Sequence, residues 1–598
     1  MTVHEISYLL RYLFVALAVI AVWLLLRLSV TELRWDMRHR ILPIPGYSLM
    51  TRRGGGQSAN PENDQIRVLQ LWHTTVLGCA SSCDVRLPGE MVDKRHAVIY
   101  LYDGKWFVRP VGRKQAVLVN GTRIEVPTLL KNLDKIVIGD HELAFLNRNQ
   151  DSDEVDLSHL RTEAIPVFPR FFSSGKIRGA WLSVNLLAFA SGCVLFFLVP
   201  STLIELQLNL GLFFLGFLLL SNLYILILPI FLKNADRLLL LCLMLLSTFG
   251  ILFQVRLSLT VLDSDTALGA AALSAAVFRD FLPQGLSFLI GFALLPVIAI
   301  LMARTRLAES GVIAGVILTP VLLVVTMILG RGADTHGASL WIQLGGLTIQ
   351  LTEFAKITYL FVLAGFFKNR PSRRRQLQFA AWAAFVLFLI MLLPDIGSAL
   401  VLLPTTLLVF VVMTSEYGTT LAILASGTGL GAIAYALFPH VQRRLAGWIS
   451  LWNEVNDGNR QIVYSLQAIT RGGLFGRGIA NGSPGGIPLA SSDMVFAIVC
   501  EELGLITGLV IILIFIILWL RSARLTLIGQ DGFTSGLALG IGTLFFMEAA
   551  VVIAGVSGLM PLTGATLPLI AEGGSSVLAK LMLIGILIGL SARRTKVE

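Results

Sequence analysis

Charge is scarce in this chain: 14% of its 598 residues are charged, 55% are hydrophobic and the mean hydropathy is +0.77. An ordinary soluble domain carries about 25% charged residues, so a wholly water-exposed protein is excluded. Cysteine is scarce as well. The five cysteines are Cys79, Cys83, Cys193, Cys242 and Cys500. Their number is odd and they are scattered, so they form no disulfide framework. The eight histidines do not cluster with them, so no zinc-site pattern is visible. What the chain has in abundance is long apolar runs.

The first run, from about Leu9 to Leu28, is long enough to cross a bilayer. Arg34, Arg38 and Arg40 follow it directly, and no small-residue cleavage site does. It reads as a retained anchor over 1–30 whose following end faces the cytoplasm. A basic, Gly-rich linker is expected over 31–65. From 66 to 147 the texture changes to short β-rich runs: Val68–Leu71, Ala97–Leu101, Trp106–Arg109, Ala116–Val119, Lys135–Ile138 and Glu142–Leu146. Turn pairs such as Asp103-Gly104 and Asn120-Gly121 separate them, which predicts a small antiparallel sandwich. A second polar linker is expected over 148–178.

From 179 to 593 the chain is almost all membrane. Twelve apolar runs stand at about 180–200, 209–232, 237–256, 283–302, 311–330, 351–367, 378–394, 397–413, 419–438, 495–520, 533–557 and 575–592. The fold class is therefore an α-helical polytopic membrane protein, about 12 spans plus one N-terminal anchor, with an inserted all-β sandwich. Basic residues test the count. Arg237, Arg304, Arg306, Lys368, Arg370, Arg373, Arg374, Arg375, Arg521, Arg524, Arg593, Arg594 and Lys596 fall in every second loop or at the tail. By the positive-inside rule those loops, the sandwich and the C-terminus are cytoplasmic, and the N-terminus and the long 439–494 loop lie outside. The net charge of +10 is then largely topological, with no nucleic-acid partner implied.

Ionisable residues in or beside spans are expensive and mark candidate chemistry. Glu353 and Lys356 are three apart, on one helical face, where they can pair. Asp395 follows Pro394, Glu501 and Glu502 open the 495–520 run, and Asp493 stands just before it. Bland readings exist for each: a structural ion pair for Glu353–Lys356, helix-boundary carboxylates for Asp395 and Asp493. Glu548 reads as structural, because nothing near it in sequence completes a site.

Taken together these stretches resemble one family. Gly337-Ala338-Ser339-Leu340-Trp341-Ile342-Gln343-Leu344-Gly345, Thr352-Glu353-Phe354-Ala355-Lys356 and Pro394-Asp395-Ile396-Gly397-Ser398-Ala399 resemble segments of the SEDS proteins (RodA, FtsW and SpoVE). So do Gln461 and Ser465 with Gly472-Gly473-Leu474-Phe475-Gly476-Arg477-Gly478, and Ser492-Asp493-Met494-Val495-Phe496-Ala497 with Glu501-Glu502-Leu503-Gly504. Gly558-Leu559-Met560-Pro561-Leu562-Thr563-Gly564, Leu567-Pro568-Leu569-Ile570 and Gly573-Gly574-Ser575-Ser576 complete the set, in family order. The chain departs from the pattern at Leu340, Ser491-Ser492, Met494 and Ala571-Glu572, and five spans, not three, precede the first motif.

The resemblance implies a peptidoglycan glycosyltransferase that polymerises lipid II beside a class B penicillin-binding protein, in division or elongation, in the bacterial cytoplasmic membrane. It implies Asp493 as the catalytic base, with a divalent cation, magnesium or manganese, as a candidate cofactor. Glu353, Lys356, Asp395, Trp341, Gln461, Ser465, Glu501, Glu502 and Ser575 match supporting or substrate-side positions. Lys356 or the cation would stabilise the departing pyrophosphate. Two other readings remain: a transporter or lipid-precursor flippase, and a catalytically divergent scaffold of wall synthesis.

The sandwich resembles a forkhead-associated (FHA) domain through Leu77-Gly78, Ser82-Cys83-Asp84-Val85, Arg95-His96-Ala97, Val119-Asn120-Gly121-Thr122 and Leu133-Asp134-Lys135-Ile136-Val137-Ile138-Gly139. Such domains bind phosphothreonine partners. Arg86, Lys94, Arg95 and Asn120 would form that surface. Cys79 and Asp93 replace an expected Arg and Ser, and Asp93 would repel a phosphate. Docking of a non-phosphorylated cytoplasmic partner is the alternative. His96 reads as a structural turn histidine.

Overall fold

A computed structural model describes residues 3–38, 47–52, 67–71, 74–80, 83, 85–102, 105–111, 116–147, 174–232, 235–260, 270–305, 307–330, 340–344, 347–367, 372–414, 416–453, 455–528 and 532–593. Two compact units emerge: residues 1–31 with 176–598, and residues 32–175.

The smaller unit is the β-sandwich. Its strands are β1 (Tyr47–Arg52), β2 (Arg67–Gln70), β3 (Thr74–Gly78), β4 (Val85–Arg86), β5 (Ala97–Tyr102), β6 (Lys105–Pro110), β7 (Val117–Val119), β8 (Thr122–Ile124), β9 (Thr128–Leu129), β10 (Lys135–Ile138) and β11 (His141–Asn147). One sheet has the order β2-β1-β11-β10-β7-β8, the other β4-β3-β5-β6-β9. Period-2 alternation puts Leu77, Ile99, Val108, Ile136, Ile138, Leu143 and Phe145 into one buried core. Trp106 and Phe145 meet within it with ring centroids 6.0 Å apart. Asn120 and Gly121 both take positive φ, 52° and 81°, as a two-residue hairpin turn requires. The expected linker needs correction. Tyr47–Arg52 falls within it, yet pairs with β11 and β2, and Leu49 is fully buried. A Gly- and Pro-rich neighbourhood hid a six-residue strand.

The larger unit is helical. Its helices are α1 (Val3–Arg38), which runs on past this unit's boundary, α2 (Ser174–Leu198), α3 (Ile204–Phe231), α4 (Arg237–Ser258), α5 (Ala270–Arg304), α6 (Leu307–Leu329), α7 (Leu351–Phe366), α8 (Arg373–Leu392), α9 (Ile396–Thr414), α10 (Tyr417–Leu437), α11 (Pro439–Ile449), α12 (Arg460–Gly472), α13 (Val495–Ile528), α14 (Gly532–Val556) and α15 (Gly574–Ala592). Among the described residues twelve helices are long and apolar enough to cross a membrane. These are α1 and eleven of the twelve expected spans. The twelfth, α7, is shorter at 16 residues, about 24 Å of helix. It carries Glu353 and Lys356 and follows a hairpin of β12 (Ile342–Leu344) and β13 (Leu347–Ile349).

Three features position the site. First, α4 is buried along its length. Asp236 caps it, its Oδ1 accepting the Leu238 N–H at 3.0 Å, while its Oδ2 receives Arg521 Nε of α13 at 2.7 Å. Second, the 439–494 segment is not an open loop. It folds into α11 and α12, and α12 turns Ile462, Ser465, Ala468 and Gly472 into the bundle. Third, α13 is broken at Gly504, where φ is 86° and ψ 167°. A break inside a span frees backbone groups that lipid cannot satisfy. The segment 472–478 supplies the partners: Arg477 N–H donates to the Glu501 carbonyl and Gly478 N–H to that of Glu502, each at 2.9 Å. In return Leu505 N–H donates to Gly473 O at 2.9 Å and Ile506 N–H to Leu474 O at 3.2 Å. A side chain at Gly476 would stand 2.2 Å from the Glu502 carbonyl oxygen. The Gly-rich motif is thus a backbone plug for a broken helix.

Candidate active site

Asp493 lies half-buried at the start of α13, and Asp395 lies at the start of α9. Asp395 caps its helix: Oδ1 accepts the Ser398 N–H at 3.0 Å and Oδ2 the Ser398 hydroxyl at 2.6 Å. One cation is within electrostatic reach of both carboxylates. Arg444, half-buried on α11, lies in the field of Asp493 and of Asp395. Its Nη1 donates to the Leu562 carbonyl at 3.2 Å. Its terminal nitrogens come within 3.3 and 3.4 Å of where a side chain on Gly564 would begin. A side chain there would crowd the guanidinium, and Gly564 has a φ of 72°, which favours glycine. Burial pushes the Arg444 pKa down and the two carboxylates push it back up. Its neighbour His440 is held below the ordinary imidazole value by burial and then by Arg444 and Arg443, so it is neutral at pH 7.

A second cluster lies deeper. Lys356 Nζ donates to Glu353 Oε1 and to Glu548 Oε1, both at 2.7 Å. Lys580 Nζ donates to Glu353 Oε2 at 2.7 Å and lies 2.8 Å from Glu548 Oε2. Two lysines and two glutamates from α7, α14 and α15 close a neutral, buried ring. Asp395 acts electrostatically on Lys356 as well as on Arg444. The pairing of Glu353 with Lys356 follows the i, i+3 expectation. The ammonium of Lys356, however, is committed to two carboxylates. Glu548 has its partners on helices distant in sequence, so its site was invisible locally.

Glu501 and Glu502 form a third cluster. Glu502 Oε1 takes Arg256 Nε at 3.1 Å, and Glu501 Oε1 takes Arg471 Nε at 3.1 Å with Arg477 at 4.0 Å. These pairs tie α4 and the plug to the broken helix. Ser465 and Ser575 are anchors: the Ser465 hydroxyl donates to the Val556 carbonyl at 2.7 Å, and Ser575 Oγ accepts the Gln350 N–H at 3.2 Å. Trp341 and Gln461 are half-buried, at the entry to β12 and in the first turn of α12. Gly337, Ala338 and Ser339 of the first motif lie outside the described residues. Among the described residues no three His, Cys, Asp or Glu side chains converge on a point that could hold a metal.

On the sandwich, Arg86, Lys94 and Arg95 are exposed. Asn120 is committed to the fold: its Nδ2 donates to Asp134 Oδ1 at 2.8 Å and its Oδ1 accepts the Lys135 N–H at 2.9 Å. His96 is fully buried and its Nδ1 accepts the Asp93 N–H at 3.1 Å, a turn-holding role.

Comparison with known proteins bears on both units. A family model described as cell cycle protein FtsW/RodA/SpoVE matches residues 236–596. The chain belongs to the FtsW/RodA/SpoVE family. An FHA domain model matches residues 75–139. The Mycobacterium tuberculosis protein named peptidoglycan glycosyltransferase RodA is 32% identical over 321 residues, 50% of this chain and 67% of that protein. A probable peptidoglycan glycosyltransferase FtsW of Trichlorobacter lovleyi is 35% identical over 285 residues, 46% of this chain and 73% of that protein. A solved chain from a peptidoglycan synthase complex, described for coordination of polymerization and crosslinking, is 23% identical with a TM-score of 0.48, covering 60% of this chain and 97% of that one. The twelve apolar helices and the family together make this FtsW/RodA/SpoVE member a multi-pass membrane protein with an FHA domain.

Sequence reasoning missed Arg444, Lys580 and Arg256. Lys580 carried a usable signal, since a lone lysine inside the 575–592 run is as costly as Glu548. Arg444 sits in a segment that the charge rule places outside. Five arginines stand there against three acidic residues, the reverse of what orientation alone favours.

Proposed function

We propose that the chain polymerises lipid II into peptidoglycan glycan strands at the outer face of the cytoplasmic membrane, with Asp493 as general base. What supports this is the family membership, together with Asp493 and Asp395, which come from separate segments and both act electrostatically on Arg444. In the reaction Asp493 takes the proton of the attacking sugar hydroxyl. That oxygen bonds to the anomeric carbon of the second sugar, and the bond from that carbon to the lipid diphosphate breaks. The diphosphate leaves with the electron pair, and its negative charge needs cations. Lys356 is held in the ring, so Arg444 and the exposed Arg443 beside it supply them. A divalent cation bound with the substrate diphosphate would rest on few protein ligands, Asp493 foremost. The polar 439–494 side faces out, the sandwich and C-terminus face in, and a class B penicillin-binding protein crosslinks the product.

The test supplies purified protein, with its cognate transpeptidase, with labelled lipid II and magnesium. Glycan chains are expected from the wild type and none from Asp493→Ala. Normal polymer from Asp493→Ala would remove that residue from the mechanism. Lipid movement across vesicles without polymer would favour the flippase reading, and neither activity the scaffold.

The FHA domain is proposed to dock a cytoplasmic phosphothreonine protein through Arg86, Lys94 and Arg95. Asp93 lowers the charge complementarity of this rim. A phosphothreonine peptide should therefore bind better than its unphosphorylated control, and Asp93→Ser should tighten it several-fold. Equal binding of the two peptides in a titration would replace phosphate reading with ordinary docking.

A further inference from the structure

The first helix does more than cross the membrane unit. Phe14, Val15, Ala18, Ala21, Val22 and Leu25 are buried at helical spacing, and the Phe14 ring meets Phe249 of α4 edge-on at 6.1 Å. One turn before this stripe stands a charge. Arg11 is only 8% exposed, although it opens an apolar span. Its Nη1 donates to the carbonyl of Gly476, and its Nη2 donates to the Tyr12 hydroxyl at 2.7 Å. The guanidinium also stands 4.6 Å from the centre of the Tyr12 ring, and that ring packs on Phe475 at 5.3 Å. Arg11 and Tyr12 thus grip residues 475 and 476 by a charge-assisted hydrogen bond and a ring contact.

What they grip is the plug. Residues 472–478 satisfy the broken backbone of α13 and hold Arg471 and Arg477 against Glu501. The chain then runs from Gly478 through 479–492 directly to Asp493. A buried arginine on a span is a functional group by default when its partner is named, and here the partner is a backbone carbonyl of this segment.

We propose that α1 is a built-in clamp on the catalytic segment, and that Arg11 is a positioning residue that sets Asp493 through the 472–478 plug. The helix continues to Arg38, so the clamp is also the covalent link from the membrane unit to the sandwich that begins at Tyr47. The activity part of this rests on the polymerase reading; the clamp itself does not.

The experiment uses the full chain. Arg11→Ala, Arg11→Lys and Phe475→Ala are compared with Val19→Ala, a substitution on the exposed face of the same helix. Amide hydrogen exchange is followed over 472–494, and lipid II polymerisation is measured alongside. Arg11→Ala should speed exchange of 473–478 and cut turnover about ten- to a hundred-fold, with KM for lipid II nearly unchanged. Arg11→Lys keeps a donor for the Gly476 carbonyl and should recover much of both. Phe475→Ala reads the same clamp from the plug side if Arg11→Ala does not fold. Exchange and turnover equal to those of Val19→Ala in all three variants would overturn the clamp. If the wild type makes no polymer, the polymerase reading falls, and the exchange result alone still decides the clamp.

Discussion

At the scale of single residues, the molecule spends its few intramembrane charges in closed sets. Lys580 is 1% exposed and Glu548 2%, and with Glu353 and Lys356 they sum to zero. Buried ions are tolerable only when paired and hydrogen-bonded, and removing one partner strands the others. Lys580→Met should therefore cost about 3–5 kcal/mol, seen as a lower unfolding temperature in detergent. Adding Glu548→Gln leaves Glu353 paired with Lys356, a neutral set again, and should restore most of the loss. A double variant no more stable than Lys580→Met would show that the two do not couple. Half of this ring was legible in sequence, because Glu353 and Lys356 are neighbours on one helix. Lys580 and Glu548 each stand out as a lone charge in an apolar run, but their pairing was not legible, because the partners meet only when α7, α14 and α15 pack.

At the scale of elements, span positions were legible almost everywhere, because twenty apolar residues have few other uses in water or lipid. Two things were not. The strand Tyr47–Arg52 forms only because β11 offers it an edge, and no local pattern announces that edge. The break at Gly504 looks like the interior of one long helix, and only the approach of 472–478 explains it. A glycine in the Gly472–Gly478 motif can serve a positive φ alone or close backbone contact as well. Two alanine substitutions separate these meanings. Gly473 and Gly476 both have positive φ, 57° and 77°. A side chain at 473 meets nothing within 4 Å, whereas one at 476 meets the Glu502 backbone. Gly473→Ala should cost about 1–3 kcal/mol of backbone strain and leave a folded, active protein. Gly476→Ala should abolish polymerisation and shift most of the protein out of the monodisperse peak in size-exclusion chromatography. Matching behaviour of the two variants would mean that the plug tolerates the displacement.

At the scale of the whole molecule, the sparse charge has two separable uses. By the positive-inside rule the basic residues at every second loop would orient the bundle, and Arg443, Arg444, Arg460, Arg471 and Arg477 break that pattern. Arg471 and Arg477 lie against Glu501, and Arg444 is in the field of Asp493 and Asp395, so on the proposed orientation these three arginines have acidic partners and need not be read as a topological signal. Orientation is then directly measurable. In a chain whose five cysteines are replaced by serine, one cysteine is placed at Gly485, exposed in the 479–494 segment, or at Glu125, exposed on the sandwich. A membrane-impermeant maleimide added to intact cells should label Gly485→Cys at once, and Glu125→Cys only after permeabilisation. The opposite pattern would put the Asp493 group on the cytoplasmic side, where a polymerase of the outer face cannot work, and would turn the five arginines back into an ordinary positive-inside loop.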